Sequence, residues 1–178
     1  MRQEALACND QEKIESFLIN AQTGFLGLAE GQIPYVVPMN FIWHNGAAFF
    51  HGASEGRKIE IMKQNVNASL VVCENFGTLA NPVPAKTDTS YMSAMVSGKI
   101  QFVTDLTEAT KVMQLMLNKY VPGYYDTPLS KSHVEKYRSS LGSKTLVIKL
   151  VPQNISAKEN PMNEGMKFYT GRSVKTDL

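Results

Sequence analysis

The first apolar pattern along the chain has the period of an α-helix. Four apolar residues follow the spacing i, i+3, i+4 and i+7: Ile14, Phe17, Leu18 and Ala21. Asn9 or Asp10 can cap this helix, because their side chains accept hydrogen bonds from its first free backbone amides. The chain is therefore predicted to begin with an amphipathic helix that packs one face on a core.

The residues that follow have the pattern of β-strands. Three segments rich in Val, Ile, Phe and Tyr predict strands: 25–29, 33–43 and 47–53. Glu30-Gly31-Gln32 and Asn45-Gly46 are turn sequences between them. Pro34 and Pro38 cannot donate to a ladder, so the second strand must be an edge strand or be bulged near Pro38. Three strands joined by tight turns predict an antiparallel meander.

Helices and strands continue through the second half of the chain. The predicted helices run from Glu55 to about Asn65 with Ser54 as cap, from Asp105 to near Tyr120, and from about Leu129 to Leu141. The predicted strands cover residues 68–74, 91–103 and 145–151. Residues 75–89 contain Gly77, Pro82 and Pro84 and predict a long loop.

The apolar period fades after Pro152. We expect residues 1–155 to form one domain and residues 156–178 a C-terminal tail that is ordered only where it docks. Hairpins rather than helical crossovers join the first three strands. The pattern therefore predicts a mainly β, α+β fold: a six-stranded antiparallel barrel with peripheral helices.

Composition narrows the class of protein. Of the 178 residues, 43% are hydrophobic and 19% charged, with a net charge of +2, which argues against a nucleic-acid binder. No apolar run approaches the roughly 20 residues that a membrane span needs. The polar start Met1-Arg2-Gln3-Glu4 predicts no signal peptide. Cys8 and Cys73 are too few for a disulfide framework, and we expect reduced thiols in a cytoplasmic protein.

Several catalytic motifs are missing from the sequence. It contains no G-x-G-x-x-G and no G-x-S-x-G. The segment 52–59 has the wrong glycine spacing for a phosphate-binding P-loop and no Ser or Thr after its lysine. His44, His51 and His133 lack the spacing of metal ligands, so we expect no metal site.

The strongest candidate for a binding site is Ser54-Glu55-Gly56-Arg57-Lys58, at a predicted strand-to-helix junction. The first turn of a helix has free backbone amides and a partial positive charge, so two adjacent cations are disfavoured there. A bound phosphate would neutralise them, and Arg57 could hold it with two parallel hydrogen bonds. The alternative is an Arg-Lys pair that is simply exposed to solvent.

Two further candidates lie on the strands before this junction. His51 shares one strand face with Phe49 and Ala53, where it would lie beside a ligand held by Arg57 or be an ordinary strand histidine. A bulge at Pro38-Met39-Asn40-Phe41 would expose backbone groups for the polar edge of a heterocycle, or be only a kinked edge strand.

Three segments together resemble the pyridoxamine-phosphate-oxidase-like flavin-binding split barrels: residues 34–41, 50–58 and, more weakly, 91–99. Their spacing is most similar to the 5-nitroimidazole-resistance (Nim) branch, and the resemblance covers roughly residues 5–155. It implies a six-stranded split barrel and a homodimer with a flavin, FMN or alternatively FAD, at each interface site.

The resemblance also implies roles for residues of this chain. Arg57 and Lys58 would hold the flavin phosphate, aided by Ser54 and by Ser93. The segment Pro38, Met39, Asn40 and Phe41 would lie along the isoalloxazine ring, and His51 and Ala53 would line the ribityl chain or the ring. No catalytic side chain is implied, because the flavin carries the chemistry.

The implied activity is electron transfer from reduced flavin to a small aromatic acceptor, by the Nim resemblance a nitroaromatic such as a 5-nitroimidazole. The resemblance does not extend to vitamin B6 oxidation, because the segment 167–172 lacks the Arg-x-His pattern with which the parent oxidase binds its substrate.

Two alternatives to this activity stay open. One is a haem-binding split barrel with His51 or His133 as axial ligand. The other is a flavin carrier or sensor without efficient turnover.

Overall fold

A computed structural model describes residues 4–138 and 142–177. Its strands are β1 (Ala7–Cys8), β2 (Thr23–Glu30), β3 (Ile33–Asn40), β4 (Ile42–His44), β5 (Ala47–Ala53), β6 (Asn67–Leu79), β7 (Asp88–Phe102) and β8 (Thr145–Asn160). Its helices are α1 (Gln11–Asn20), α2 (Arg57–Gln64), α3 (Leu106–Tyr120), α4 (Lys131–Lys136) and α5 (Val174–Asp177), and short 3₁₀ turns cover Glu4–Leu6 and Pro84–Lys86.

All strand pairs are antiparallel, which confirms the predicted mainly β, α+β fold. Seven strands pair in the order β3-β2-β6-β7-β8-β5-β4, and β1 adds an eighth by pairing with β8. The prediction of six strands is too low because the short β1 has no visible pattern and the predicted strand 33–43 is divided at Phe41. The two ends of the pairing order, β3 and β4, are joined in the chain through Phe41, so the sheet curls back on itself.

Several predictions made from short stretches of sequence are confirmed. Asp10 caps α1 by accepting a 3.0 Å hydrogen bond from the Lys13 amide. Asn45 and Gly46 have φ angles of 50° and 70°, which is the conformation of the predicted two-residue hairpin turn. β3 pairs only with β2 on the seven-strand path, so the prediction that its prolines require an edge strand is confirmed.

Two apolar clusters hold the elements together. The larger one fills the inside of the sheet and includes side chains of α1 and α2, such as Leu18 and Ile59. The smaller one lies between α3 and the outer face of β4, β5 and β8, where Met116 packs with Phe49 and Val147. α3 therefore packs on the strand face that carries His51, although His51 itself stays partly exposed.

Two predicted boundaries are wrong. Residues 75–89 are not one long loop, because β6 runs to Leu79 and β7 starts at Asp88. The pairing continues through a bulge between Asn75 and Gly77. The last strand does not stop at Val151 but pairs with β7 as far as Asn160, and so runs through the predicted domain boundary at residue 155. Its outward positions are polar, which hides the strand from a search for apolar residues.

The tail docks on the end of the β6–β7 hairpin. Lys167 forms a bridge with Leu79, and the Phe168 amide donates to the Thr78 carbonyl at 2.8 Å.

The helix predicted over residues 129–141 is shorter in the structure and ends at Lys136; residues 139–141 of that prediction lie outside the described residues. No helix within 4–138 and 142–177 has the length and apolar character needed to cross a membrane.

Candidate functional site

The turn between β5 and α2 has a geometry that the sequence did not predict. Gly56, not Ser54, is the N-cap residue of α2, and no side chain caps the helix. Gly56 has a φ of +107°, which favours glycine over any residue with a Cβ. Ser54 is instead held through its amide, which donates to the Lys144 carbonyl at 2.8 Å. Its hydroxyl is therefore not needed as a helix cap.

Arg57 begins α2 and is not simply exposed to solvent. Its Nε and Nη2 donate to one carboxylate oxygen of Glu30, at 3.2 and 3.0 Å. Its guanidinium carbon lies 5.0 Å from the centroid of the Tyr35 ring. A phosphate at Arg57 would therefore compete with, or share the guanidinium with, a carboxylate of the same chain.

Lys58 folds back over the last residues of β5. A Cβ added at Gly52 would lie 3.2 Å from Lys58 Nζ, so the glycine leaves room for this side chain. Within residues 4–138 and 142–177, no carboxylate forms an ion pair with Lys58. The first turn of α2 thus has a cation without a counter-charge from the described chain.

His51 lies on the opposite face of β5 from Gly52. Its Nδ1 is 3.0 Å from the sulfur of Met116 on α3. Desolvation, with a smaller contribution from the positive charge of Lys58, lowers the pKa of His51 below 6.5, so the ring is neutral near pH 7. Within the described residues the side-chain contact of His51 is to Met116, and its place beside a ligand held by Arg57 stays a prediction.

The segment 38–41 divides into exposed and buried residues. Pro38 and Asn40 are exposed on the edge strand β3, whereas the side chains of Met39 and Phe41 are buried in the large apolar cluster. Only Pro38 and Asn40 can therefore offer side chains to a ligand outside the barrel. Met39 and Phe41 belong to the core by their side chains, which their apolar character would have indicated.

Ser93 lies far from the β5–α2 turn along the strands of one chain. It pairs with Lys158 on β8, whereas Ala53 pairs with Thr145. These two partners are thirteen positions apart on β8, which is up to roughly 40 Å of extended strand. A single chain therefore does not bring Ser93 to Arg57.

Two residues next to the candidate site were missed by the sequence analysis. Tyr120 and Lys119, at the end of α3, contact the backbone of Phe41. Desolvation lowers the pKa of Lys119 to about 8, and it raises the pKa of Tyr120. Nothing in the local sequence indicates these contacts, because their partner is remote in the chain.

The residues of the β5–α2 turn fit a phosphate-bearing cofactor better than a metal ion. Lys58 and Arg57 are cations that suit a phosphate. No group of three His, Cys, Asp or Glu side chains in the described part of the chain is placed to hold a metal ion. The thiols of Cys8, which is buried, and Cys73, which is exposed, are both free.

Solved structures share this fold. The flavocytochrome Anf3 from Azotobacter vinelandii has a TM-score of 0.76 at 20% identity, with 91% of this chain and 72% of that chain covered. A candidate 5-nitroimidazole antibiotic resistance protein from Bacteroides thetaiotaomicron has a TM-score of 0.68 at 25% identity, with 86% of each chain covered. The FAD and heme binding protein from Mycobacterium smegmatis has a TM-score of 0.70 at 15% identity, with 88% of this chain and 76% of that chain covered.

Sequence comparison gives the family. No curated protein matches the chain. The family profile described as pyridoxamine 5'-phosphate oxidase matches residues 10–159, which span α1 and all strands from β2 to nearly the end of β8. The chain therefore belongs to the pyridoxamine 5'-phosphate oxidase family, which confirms the resemblance seen in its sequence.

Proposed function

We propose that this protein is a flavin-dependent oxidoreductase that holds its cofactor's phosphate at the β5–α2 turn. The observation that carries the proposal is the pair Arg57 and Lys58 in the first turn of α2, with Lys58 unpaired within the described residues. The free amides and partial positive charge of the helix end favour an anion at the same place. Ser54, half-buried beside them, adds a hydroxyl.

The remaining candidate residues extend from this turn along two strands. Tyr35, which contacts Arg57, lies three residues before Pro38 on β3, which is about 10 Å along the strand. The exposed Pro38 and Asn40 would then lie along the ring. Ala53 at the end of β5 and the neutral His51 would line the ribityl chain or the ring.

The substrate we propose is a small nitroaromatic such as a 5-nitroimidazole. When bound, a reduced flavin supplies the electrons, so the chain has to bind and orient cofactor and acceptor and keep water away. Support comes from the candidate 5-nitroimidazole resistance protein, which matches this chain at 25% identity over 86% of its length. We propose FMN as the cofactor. FAD is the alternative, since one similar structure is an FAD and heme binding protein.

We also propose that the protein is a homodimer with the flavin at the interface. Phe25, Val71 and Met95 lie side by side in register across β2, β6 and β7. Phe25 and Met95 are 48% and 47% exposed, so this outward row offers an apolar face to a second copy. The role of Ser93 near the flavin phosphate is part of this proposal, with the phosphate held by the partner subunit. Light scattering should give twice the 19.8 kDa chain mass, and a monomer that binds flavin tightly would contradict the proposal.

The phosphate site is tested by titrating FMN and riboflavin, which lacks the phosphate, into the full chain. Replacing both Arg57 and Lys58 by Ala should weaken FMN binding by about tenfold to a hundredfold, because charged hydrogen bonds of about 1.5–3 kcal/mol are lost. Riboflavin binding should change little. Lys63→Ala, at the other end of α2, is the matched control. Equal FMN affinity in the double variant would remove the basis of the site.

The nitroaromatic activity is tested without oxygen. The bound flavin is reduced chemically and mixed with a 5-nitroimidazole, and both its reoxidation and the mass of the product are followed. Reoxidation faster than that of free reduced FMN, with reduction of the nitro group, supports the enzyme. Reoxidation no faster than that of free flavin favours a carrier or sensor.

A second candidate function is haem binding, in place of or beside flavin. A surface hollow of about 430 Å³ is lined by His133 with Lys136 and Arg138, which would place an imidazole beside two cations suited to haem propionates. The other candidate ligand, His51, has its Nδ1 against Met116. A Soret band that forms on adding haemin and is lost in His133→Ala would support this function, and no band would exclude it.

A further inference from the structure

Phe41 is the single residue between β3 and β4, the two end strands of the pairing order. The β2–β3 ladder ends at Asn40, opposite Thr23, and the β4–β5 ladder begins at Ile42, opposite Phe49. The backbone of Phe41 therefore belongs to neither ladder, although the residue is fully buried. A buried amide and carbonyl outside a ladder need other hydrogen-bond partners.

Two neighbouring residues at the end of α3 supply those partners. The Phe41 amide donates to Tyr120 Oη at 2.8 Å, and Tyr120 Oη also lies 2.8 Å from the Phe41 carbonyl oxygen and 2.6 Å from that of Gln22. Lys119 Nζ donates to the carbonyls of Phe41 and Ala21 at 3.0 and 2.6 Å. The pair thus ties the β3–β4 junction to the segment between α1 and β2.

The face of α3 that carries Lys119 and Tyr120 also contacts β5, the strand of His51. Met116, whose sulfur contacts His51, precedes Lys119 and Tyr120 by three and four residues. Residues at this spacing lie on one face of a helix. One face of α3 therefore contacts both the end of the 38–41 segment and His51.

The partners of Lys119 indicate a role in holding backbone rather than in pairing charge. Its Nζ lies between two carbonyl oxygens and 4.7 Å from the centroid of the Phe41 ring. Desolvation lowers the pKa of Lys119 to about 8, and no carboxylate of the described residues forms an ion pair that would raise it. A surface lysine would not need this arrangement.

We propose that Lys119 and Tyr120 are positioning residues for the flavin: by fixing Phe41, they set where the exposed Pro38 and Asn40 lie relative to His51. This inference rests on the proposed function, in which those residues border the ring. The physical reason for such a brace is that β3 is an edge strand whose outer side has no partner strand on the sheet path. In a site that orients reactants, a displacement of about 1 Å costs roughly a hundredfold in rate.

The experiment compares the full-length wild type with Tyr120→Phe and with Lys119→Met and Lys119→Arg. FMN affinity, the visible circular dichroism of the bound flavin and thermal unfolding are measured for each. Tyr124→Phe is the matched control, because Tyr124 is 75% exposed and lies in the loop after α3. Visible dichroism reports the asymmetry of the ring's surroundings and does not change when a distant residue merely lowers stability.

We expect Tyr120→Phe and Lys119→Met to weaken FMN binding about tenfold and to alter the dichroism of the saturated flavin. Lys119→Arg, which keeps a donor, should restore part of both, and Tyr124→Phe should match the wild type. If Tyr120→Phe does not fold, the comparison of Lys119→Met with Lys119→Arg decides. Wild-type affinity and dichroism in the folded variants would overturn this inference alone. A wild type that binds neither FMN nor FAD would overturn the proposed function and this inference with it.

Discussion

Arg57 and Glu30 form a two-point contact at the entrance to the proposed phosphate site, with Nε and Nη2 of the arginine 3.2 and 3.0 Å from the same carboxylate oxygen. The glutamate ends β2 and the arginine begins α2, so the contact joins two elements at one end of the barrel. The side chain of Glu30 is 42% exposed and that of Arg57 is 59% exposed. An exposed ion pair of this kind contributes about 0–1 kcal/mol, so an incoming phosphate could displace it.

Glu30→Gln should therefore strengthen FMN binding up to about fivefold, because the phosphate no longer competes with a carboxylate for Arg57. Riboflavin affinity should stay as in the wild type, since it brings no phosphate. Glu55→Gln is the control for a general loss of negative charge, because Glu55 lies two residues before Arg57 and forms no ion pair in the described chain. Weaker FMN binding in Glu30→Gln would mean that the carboxylate supports the site rather than competes for it.

Gly98 should not tolerate a side chain. It lies at the bulge between β7 and β8, where an added Cβ would be 2.0 Å from the Val151 carbonyl oxygen. Backbone must move to relieve that contact, so we expect Gly98→Ala to lower the free energy of unfolding by about 3 kcal/mol. Gly27→Ala is the control, because its Cβ would be 3.4 Å from the nearest backbone oxygen and should change stability by less than about 1 kcal/mol. Urea unfolding of both variants measures the difference.

The parts of the fold that the sequence predicts are those set by neighbours in the chain. The cap of α1 at Asp10 and the hairpin turn at Asn45-Gly46 depend on contacts within a few residues. The end of β8 at Asn160 depends instead on β7, and β8 residues such as Gln153 and Asn154 are polar and exposed. A search for alternating apolar residues cannot find a strand segment whose exposed residues are polar.

The candidate site divides in the same way. Arg57 and Lys58 are predictable because the strand-to-helix turn that presents them is a local motif. Glu30 is 27 residues from Arg57, and Tyr120 is 79 residues from Phe41, so neither contact has a local signal. Tertiary packing alone brings these pairs together.

Lys119 should make stability depend on pH in a defined window. Its pKa in the folded chain, about 8, lies below the ordinary value of 10.5, so the unfolded chain binds more protons between these values. The free energy of unfolding should therefore rise with pH above 8 in the wild type relative to Lys119→Met. The raised pKa of Tyr120 acts in the opposite sense above its ordinary value of 10.0, so the comparison stops at pH 9.5. Parallel curves for the two proteins would show that Lys119 is not desolvated.

Arg172 should decide whether the tail stays docked. Its Nε lies 2.9 Å from the carboxylate of Asp177, and its two terminal nitrogens donate to the carbonyls of Lys167 and Gly165 at 2.8 and 2.9 Å. The side chains of Arg172 and Asp177 are only 12% and 15% exposed, so removing one partner costs more than it does in a surface ion pair.

Arg172→Ala would leave Asp177 and two carbonyls without their donor. We expect the variant to be cut by trypsin within residues 161–177 at least tenfold faster than the wild type, because local opening governs cleavage when the barrel stays folded. Lys175→Ala is the control, since Lys175 is exposed and its loss removes only one cleavage site. The barrel transition in thermal unfolding should move little, because the backbone bonds that hold the described tail are made to the end of the β6–β7 hairpin, at Leu79 and its neighbours. If Arg172→Ala were cleaved at the wild-type rate, the Lys167 bridge rather than Arg172 would be what keeps the tail docked.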